Sequence, residues 1–215
     1  TSGPSPCRAG TPARPPAAPR GDPHDHPNVR LRRPYTFAGG YRPVVSEHSV
    51  RPARPADVTR LIEIEDAAGE RFREIGMDAV ADDPSPSPDE MFRLVAAGVI
   101  RVVDIDGRAA GYLQAEVVDD CAHVEQVSVD PAHIGLRVGR ALLDDNTERA
   151  LAAGLSAVTL TTYVDVPWNG PYYRRRGFRV LGDDEITPGL AALRAEETRR
   201  GLDRWPRCCM RLDLR

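Results

Sequence analysis

Between residues 99 and 129 the chain holds three strand-length runs separated by two-residue turns, a spacing that allows little besides an antiparallel meander. Residues 99–105, 109–118 and 122–129 are the runs, with Asp106-Gly107 and Asp119-Asp120 between them. Asp-Gly supplies two residues that tolerate positive φ, which a tight hairpin needs for its twist to match that of its strands. Strands joined this closely pair with their neighbours in the chain and run antiparallel.

The pattern then changes period. Asp130-Pro131 closes the third run, a glycine-bearing loop covers residues 133–139, and a helix follows that ends at Gly154. Residues 156–166, rich in Val and Thr, make a fourth run that Pro167 stops. A strand reached through a helix returns parallel to its predecessor, so the fourth run should pair parallel with the third. A short helix at 170–176, a strand at 178–181, a helical segment near 189–200 and a last strand at 208–214 follow. Ahead of the meander, Pro55-Ala56-Asp57 opens a helix with Asp57 as its cap. Leu61, Ile62, Ile64, Ala68 and Phe72 then recur at helical spacing as far as Gly76. A Pro/Ser/Asp loop at 82–88 leads to a second helix at 89–97. The order predicts an α/β (α+β) domain with a mixed, mostly antiparallel sheet.

Composition bounds the partners. Residues 1–48 hold ten of the twenty prolines and seven Arg against three acids, which predicts a flexible arm ahead of a folded domain at 49–215. That domain carries 22 Arg against 29 acidic residues, an acidic balance that argues against nucleic acid as partner. No apolar run approaches the roughly 18 residues of a membrane span, and no charged-then-apolar leader is present, so a cytoplasmic protein without a membrane partner is expected. Cys7, Cys121, Cys208 and Cys209 have neither zinc-site nor CxxC spacing, and His24-Asp25-His26 lacks further ligands, so no metal is expected. Cys208 and Cys209 are adjacent on a strand and should point to opposite faces.

Two stretches carry chemistry. In residues 127–143 a strand ends, a loop turns and a helix begins, with Gly135, Gly139, Arg137 and Arg140 at the turn. A helix start has unpaired N–H donors and partial positive charge, which suits phosphate. In residues 165–178 a strand ends, a short helix bears Tyr172-Tyr173, and Gly177-Phe178 returns the chain to the sheet.

In this order and spacing the two stretches resemble the GCN5-related N-acetyltransferase (GNAT) superfamily. Its loop signature is Gln/Arg-x-x-Gly-x-Gly/Ala; here the window reads Ile134-Gly-Leu-Arg-Val-Gly139. Gly139 matches the final small residue, Ile134 replaces the Gln or Arg, and Arg137 replaces the first glycine. Tyr173-Arg-Arg-Arg-Gly-Phe178 matches the second signature. The resemblance implies a twisted sheet of six to seven strands flanked by helices, with splayed central parallel strands. It implies acetyl-CoA as cosubstrate, and direct acetyl transfer to the primary amine of a small molecule or peptide. Backbone groups of Val127 and Val129 would hold the pantetheine arm, and amides of Leu136, Arg137, Val138, Gly139 and Arg140 the pyrophosphate. Asn169 would cap its helix or touch the cofactor. Tyr173 takes the place of the general acid, and the Val127 amide that of the oxyanion donor. The base is Glu125 or His123, which strand alternation puts on one face unless a bulge intervenes, or no protein group at all. Glu70, Arg71, Phe72, Trp168 and Trp205 are candidate walls of the acceptor site. Domains of this kind often pair through sheet edges, so a homodimer is an expectation. Two other readings stay open. A dinucleotide enzyme would need a third loop glycine after an early strand of a parallel sheet. A CoA-binding sensor or interaction module would share the fold without turnover.

Overall fold

The computed structural model describes residues 49–214. The expected arm, with Cys7 and His24-Asp25-His26, lies outside the described residues. The described chain opens on β1 (Ser49–Pro52), a short edge strand that the sequence did not announce: four residues ending in proline show no alternation to read. Then come α1 (Val58–Gly69), a 3-10 segment (Glu70–Ile75) ended by Gly76 at φ 73°, α2 (Asp78–Ala81) and α3 (Pro88–Ala96). Asp57 does not cap α1. Its carboxylate instead accepts from the Arg54 N–H (2.7 Å) and from the Arg51 guanidinium (2.7 Å). The cap of α3 is Ser87, whose hydroxyl accepts the Glu90 N–H while the Glu90 carboxylate accepts the Ser87 N–H, a reciprocal pair that fixes where the helix begins.

The meander forms as the turns require: β2 (Ile100–Ile105), β3 (Arg108–Val118) and β4 (Cys121–Val129). Both central residues of each turn have positive φ, 52° and 82° at Asp106-Gly107, 47° and 59° at Asp119-Asp120. Helix α4 (Val138–Ala152) then carries the chain to β5 (Ala157–Tyr163), which pairs parallel with β4. This strand ends at Tyr163 and not at 166: the Val164 N–H still donates to the Pro206 carbonyl (3.0 Å), in register with β7, but Pro206 has no N–H to return. Helix α5 (Gly170–Arg175), β6 (Arg179–Val180), α6 (Pro188–Arg199) and β7 (Arg207–Asp213) complete the fold. Strand β7 slots between β5 and β6, giving the order β1-β2-β3-β4-β5-β7-β6 in one seven-stranded sheet, with β4–β5 the sole parallel pair among the described residues. The architecture is the mixed, helix-flanked sheet that the sequence implied.

Each face of the sheet has its own core. Leu142 and Leu143 of α4 bury against Leu113, Ala122, Val124, Val158, Leu160 and Met210. On the opposite face Leu61 and Ile64 of α1 and Met91 of α3 pack on Val102 and Tyr112. Each such large apolar side chain contributes about 1.5–3 kcal/mol by leaving water. The alternation of β7 sends Cys208 to the α4 face and Cys209 to a cluster with Leu181 and Leu190, so the adjacent thiols diverge.

One buried pair on the α1 face is polar. The fully buried Tyr112 hydroxyl donates to the Glu65 carboxylate. Burial pushes the Glu65 carboxyl above its ordinary value, and the bond from Tyr112 offsets only part of that. The folded form therefore holds this proton more tightly than the unfolded form does. Its contribution is fully present below the unfolded value, about pH 4, and is lost as pH rises through the folded value. Glu65→Gln keeps an acceptor for Tyr112 and does not titrate. The stability of this variant relative to wild type should rise with pH from about pH 4 upward, read by urea unfolding. A pH-independent difference would mean that Glu65 titrates alike in both states.

Candidate active site

The site begins where β4 and β5 part. They pair over only four positions, Cys121 with Ala157 to Val124 with Leu160. The β3–β4 register shows why. Gln114 faces Gln126 and Ala115 faces Val124, so Glu125 is the extra residue of a bulge that turns β4 away. Beyond it the Asp130 N–H donates to the Ala110 carbonyl (3.0 Å). Counting back by twos, Ser128 and Gln126 aim their backbone at β3, while Val127 and Val129 aim theirs into the gap toward β5. The bulge also separates the two candidate bases. His123 is 1% exposed inside the paired part, with Nδ1 against the Thr159 hydroxyl at 3.0 Å. Glu125 is exposed at the mouth of the gap.

The loop at one end of the gap carries the first signature. Asp130 caps its opening turn, accepting the Ala132 N–H at 2.9 Å, and is ion-paired to Arg60 of α1. Burial raises the Asp130 carboxyl, but these two bonds and the Arg60 charge outweigh it and hold it below the ordinary value. The first bond of the α4 ladder is Ala141 N–H to Arg137 carbonyl (3.0 Å), so the amides of Arg137, Val138, Gly139 and Arg140 precede the ladder. The Leu136 amide is different, because it donates to the His133 carbonyl at 3.3 Å. Arg137 itself is left-handed, φ 60° and ψ 18°, and Gly135 has φ 88°. The signature's glycine conformation thus survives with arginine in it. Gly139 leaves room for its neighbours: a Cβ there would sit 3.4 Å from the Tyr172 hydroxyl and 3.6 Å from Val129 Cγ2.

Helix α5 forms the other wall. A Cβ on Gly170 would lie 2.4 Å from the Val164 carbonyl oxygen, so this helix starts pressed against the end of β5. Asn169 stands at the cap position but makes no capping bond. Its Nδ2 donates to the Thr162 hydroxyl (2.9 Å) on β5, and its Oδ1 is buried without a partner. Arg176 reaches Asp144 of α4, which also pairs with Arg140 at 3.2 Å, so the two helices are tied beside the loop. Tyr173 is buried, edge-on to Tyr172 (5.4 Å) and Phe178 (5.7 Å), in the cluster that includes Val127 and Val129. Burial raises its phenol, which stays protonated at neutral pH.

On the α1 face of the same strand end lies a cleft of about 280 Å³ lined by Ile75, Met77, Tyr163, Asp165, Val166 and Trp205, among others. Phe72 packs edge-on against Tyr163 (5.8 Å) and Trp168 (5.6 Å), and Arg71 stacks on Trp168 at 4.2 Å. Of the walls read from the sequence, Trp205 lines the cleft directly. Phe72, Trp168 and Arg71 back it, and Glu70 pairs with Arg73 (2.9 Å) outside it. Asp165 opens the loop that leads to Trp168, the loop expected to border the acceptor site, and it is exposed in the cleft lining. Among the described residues no group of three or more His, Cys, Asp or Glu stands together as metal ligands, and no helix is long and apolar enough to cross a membrane.

The left-handed Arg137 makes a test of the loop. An L-residue in this conformation costs about 1–2 kcal/mol, part of which glycine returns through its freer unfolded chain. Arg137→Gly should stabilise the empty protein by about 1 kcal/mol, or about 2–4 °C in Tm, read by thermal unfolding. An unchanged or lower Tm would show that the guanidinium makes a compensating contact.

Residues 61–178 match the family model described as "Acetyltransferase (GNAT) family". Solved structures share the fold. The PaiA N-acetyltransferase of Thermoplasma acidophilum, in complex with coenzyme A, is 13% identical with a TM-score of 0.59, over 78% of this chain and 99% of that one. The ribosomal-protein-S18-alanine N-acetyltransferase of Escherichia coli is 16% identical with a TM-score of 0.53, over 77% and 93%. The N-acetylglutamate synthase of Neisseria gonorrhoeae, complexed with coenzyme A and N-acetyl-glutamate, is 19% identical with a TM-score of 0.56, over 80% of this chain and 36% of that one. With the family model spanning more than half of its length, the chain belongs to the GNAT family of acetyltransferases.

Proposed function

We propose that the protein transfers an acetyl group from acetyl-CoA to a primary amine by direct attack within a ternary complex. The observation that carries this reading is the β4–β5 gap, with strand backbone aimed into it, a helix start at one end and a buried tyrosine on its wall. Pantetheine amides pair with the backbone of Val127 and Val129, much as a further strand would. The diphosphate takes the amides of Arg137, Val138, Gly139 and Arg140, where the helix charge and two guanidiniums favour it. Leu136 contributes through its side chain, which is 46% exposed.

The chemistry follows from what is adjacent. The acceptor reaches the site as an ammonium ion and gives a proton to Glu125, directly or through water. Glu125 is favoured over His123, whose ring is enclosed in the paired part of the sheet. The amine nitrogen bonds to the thioester carbon, and the oxygen takes up charge facing the Val127 N–H. The carbon–sulfur bond then breaks, the thiolate receives the Tyr173 proton, which burial keeps on the phenol until sulfur charge develops, and the new amide nitrogen gives up its extra proton to restore the phenol, directly or through water. No covalent enzyme intermediate is needed, because holding both reactants together already removes a large part of the barrier.

Calorimetric titration with acetyl-CoA tests the cofactor site. Micromolar binding is expected, and Gly139→Trp should abolish it by filling the space beside Tyr172 and Val129, with circular dichroism checking that the variant folds. Tyr173→Phe should keep binding and lower kcat by about 10²–10⁴-fold. Absence of binding to any acyl-CoA would overturn the reading. Binding without transfer to any amine would make the protein a CoA-responsive module.

A further inference from the structure

We propose that the acceptor is a small amine with an apolar, aromatic-sized body and no carboxylate, its body held in the cleft beside Tyr163 and its ammonium form drawn in by Asp165 before Glu125 takes the proton. This rests on the acetyl-transfer reading and adds the substrate class. The cleft sits where an acceptor must. Tyr163 lies three residues beyond Leu160, the last β5 residue paired with β4, so the cleft opens about 10 Å along the strand from the parting point. The loop that follows lines it with Asp165 and Val166 and then leads into the helix of Tyr173.

Its walls are apolar. Ile75 and Met77 stand on one side, Trp205 on the other, and the Tyr163 ring and Val166 close it within. Asp165 is the one charged lining residue. It is exposed and has no ion pair among the described residues. The nearby guanidiniums are otherwise placed. Arg71 lies on Trp168, Arg204 on Trp205, and Arg207, stacked on Tyr163 at 4.4 Å, is neutralised by Glu197 at 2.7 Å; none lines the cleft. A carboxylate beside apolar walls suits an ammonium group on a hydrophobic body and repels an acid. A volume of about 280 Å³ is near the lower end of the roughly 300–1,000 Å³ of small-molecule sites, room for one ring system. The far wall belongs to residues 181–206, the connection between β6 and β7. Arg200 of that connection is ion-paired with Asp83 of the α2–α3 loop at 2.5 Å, which braces this side.

The test is steady-state acetylation of matched pairs, tryptamine with tryptophan and phenethylamine with phenylalanine, beside spermidine and a short peptide with a free N-terminus. Acetyl-CoA binding is measured separately. The two arylalkylamines should exceed every other acceptor in kcat/KM by at least about tenfold, the scale of one apolar or ionic contact. Asp165→Asn should raise their KM by about fivefold and leave the KM for acetyl-CoA unchanged. Trp205→Ala should raise the amine KM by about tenfold. Intact acetyl-CoA binding with preference for spermidine, the peptide or the amino acids would overturn the substrate class while the acetyl-transfer reading stands. An Asp165→Asn variant with unchanged amine KM would overturn the role of Asp165. Loss of acetyl-CoA binding in the wild type would instead overturn the reading beneath.

Discussion

The short pairing between β4 and β5 decides most of what this molecule can do. Four residue pairs hold the strands together, and then the bulge at Glu125 sends β4 away. Had the ladder continued, the N–H and C=O groups of Val127 and Val129 would be spent on β5. Because it stops, those groups are not spent on β5, and a ligand that pairs with them replaces water there at little net cost. Everything else is placed by reference to this parting. The continuation of β4 carries the loop, and that of β5 carries the acceptor cleft and the helix of Tyr173. The tightness of that second connection comes from Gly170, which lets α5 start against the Val164 carbonyl, and from Asn169, which binds Thr162 in place of capping.

The loop shows a second kind of constraint, charge set against its surroundings. Arg137 and Arg140 stand at the positive end of α4, where cations are disfavoured by about 0.3–1 kcal/mol each, and Arg137 is also left-handed. Local rules are broken at functional sites when something else is gained. An anion at the same place would reverse the sign of the electrostatic part. Asp144 restrains part of the charge by pairing with both Arg140 and Arg176. The same carboxylate thereby links the loop helix to the tyrosine helix.

How legible this was in the sequence depends on the range of the forces involved. The meander could be read because its turns are local: Asp106-Gly107 and Asp119-Asp120 have the positive φ values that their residue types allow. The helix between two strands implied the parallel pair, and the paired signatures implied the family. The strand β1 could not be read, since its pairing with β2 involves residues some fifty positions away and its four residues carry no period. Nor could the bulge, which depends on how Gln114 and Ala115 of another strand are matched. The position of Asn169 suggested a cap, yet a hydroxyl on β5 competes for its side chain. Alternation puts His123 and Glu125, two apart on one strand, on the same face; the bulge buries one and exposes the other.

The connection from β6 to β7 adds a point that neither signature contains. Its helix α6 is anchored by Glu197, which accepts from Thr161 of β5 and pairs with both Arg194 and Arg207. These groups are largely shielded from water, so the network carries more weight than surface pairs of the same length. Removing Glu197 would leave Arg207 beside Tyr163 without its carboxylate, while Arg194 would keep Asp203. The strand whose end carries the cleft is thus bound to the segment that supplies the opposite wall. The reaction is fixed by backbone geometry that many sequences can satisfy, whereas the shape of the acceptor cleft is held by side chains particular to this chain.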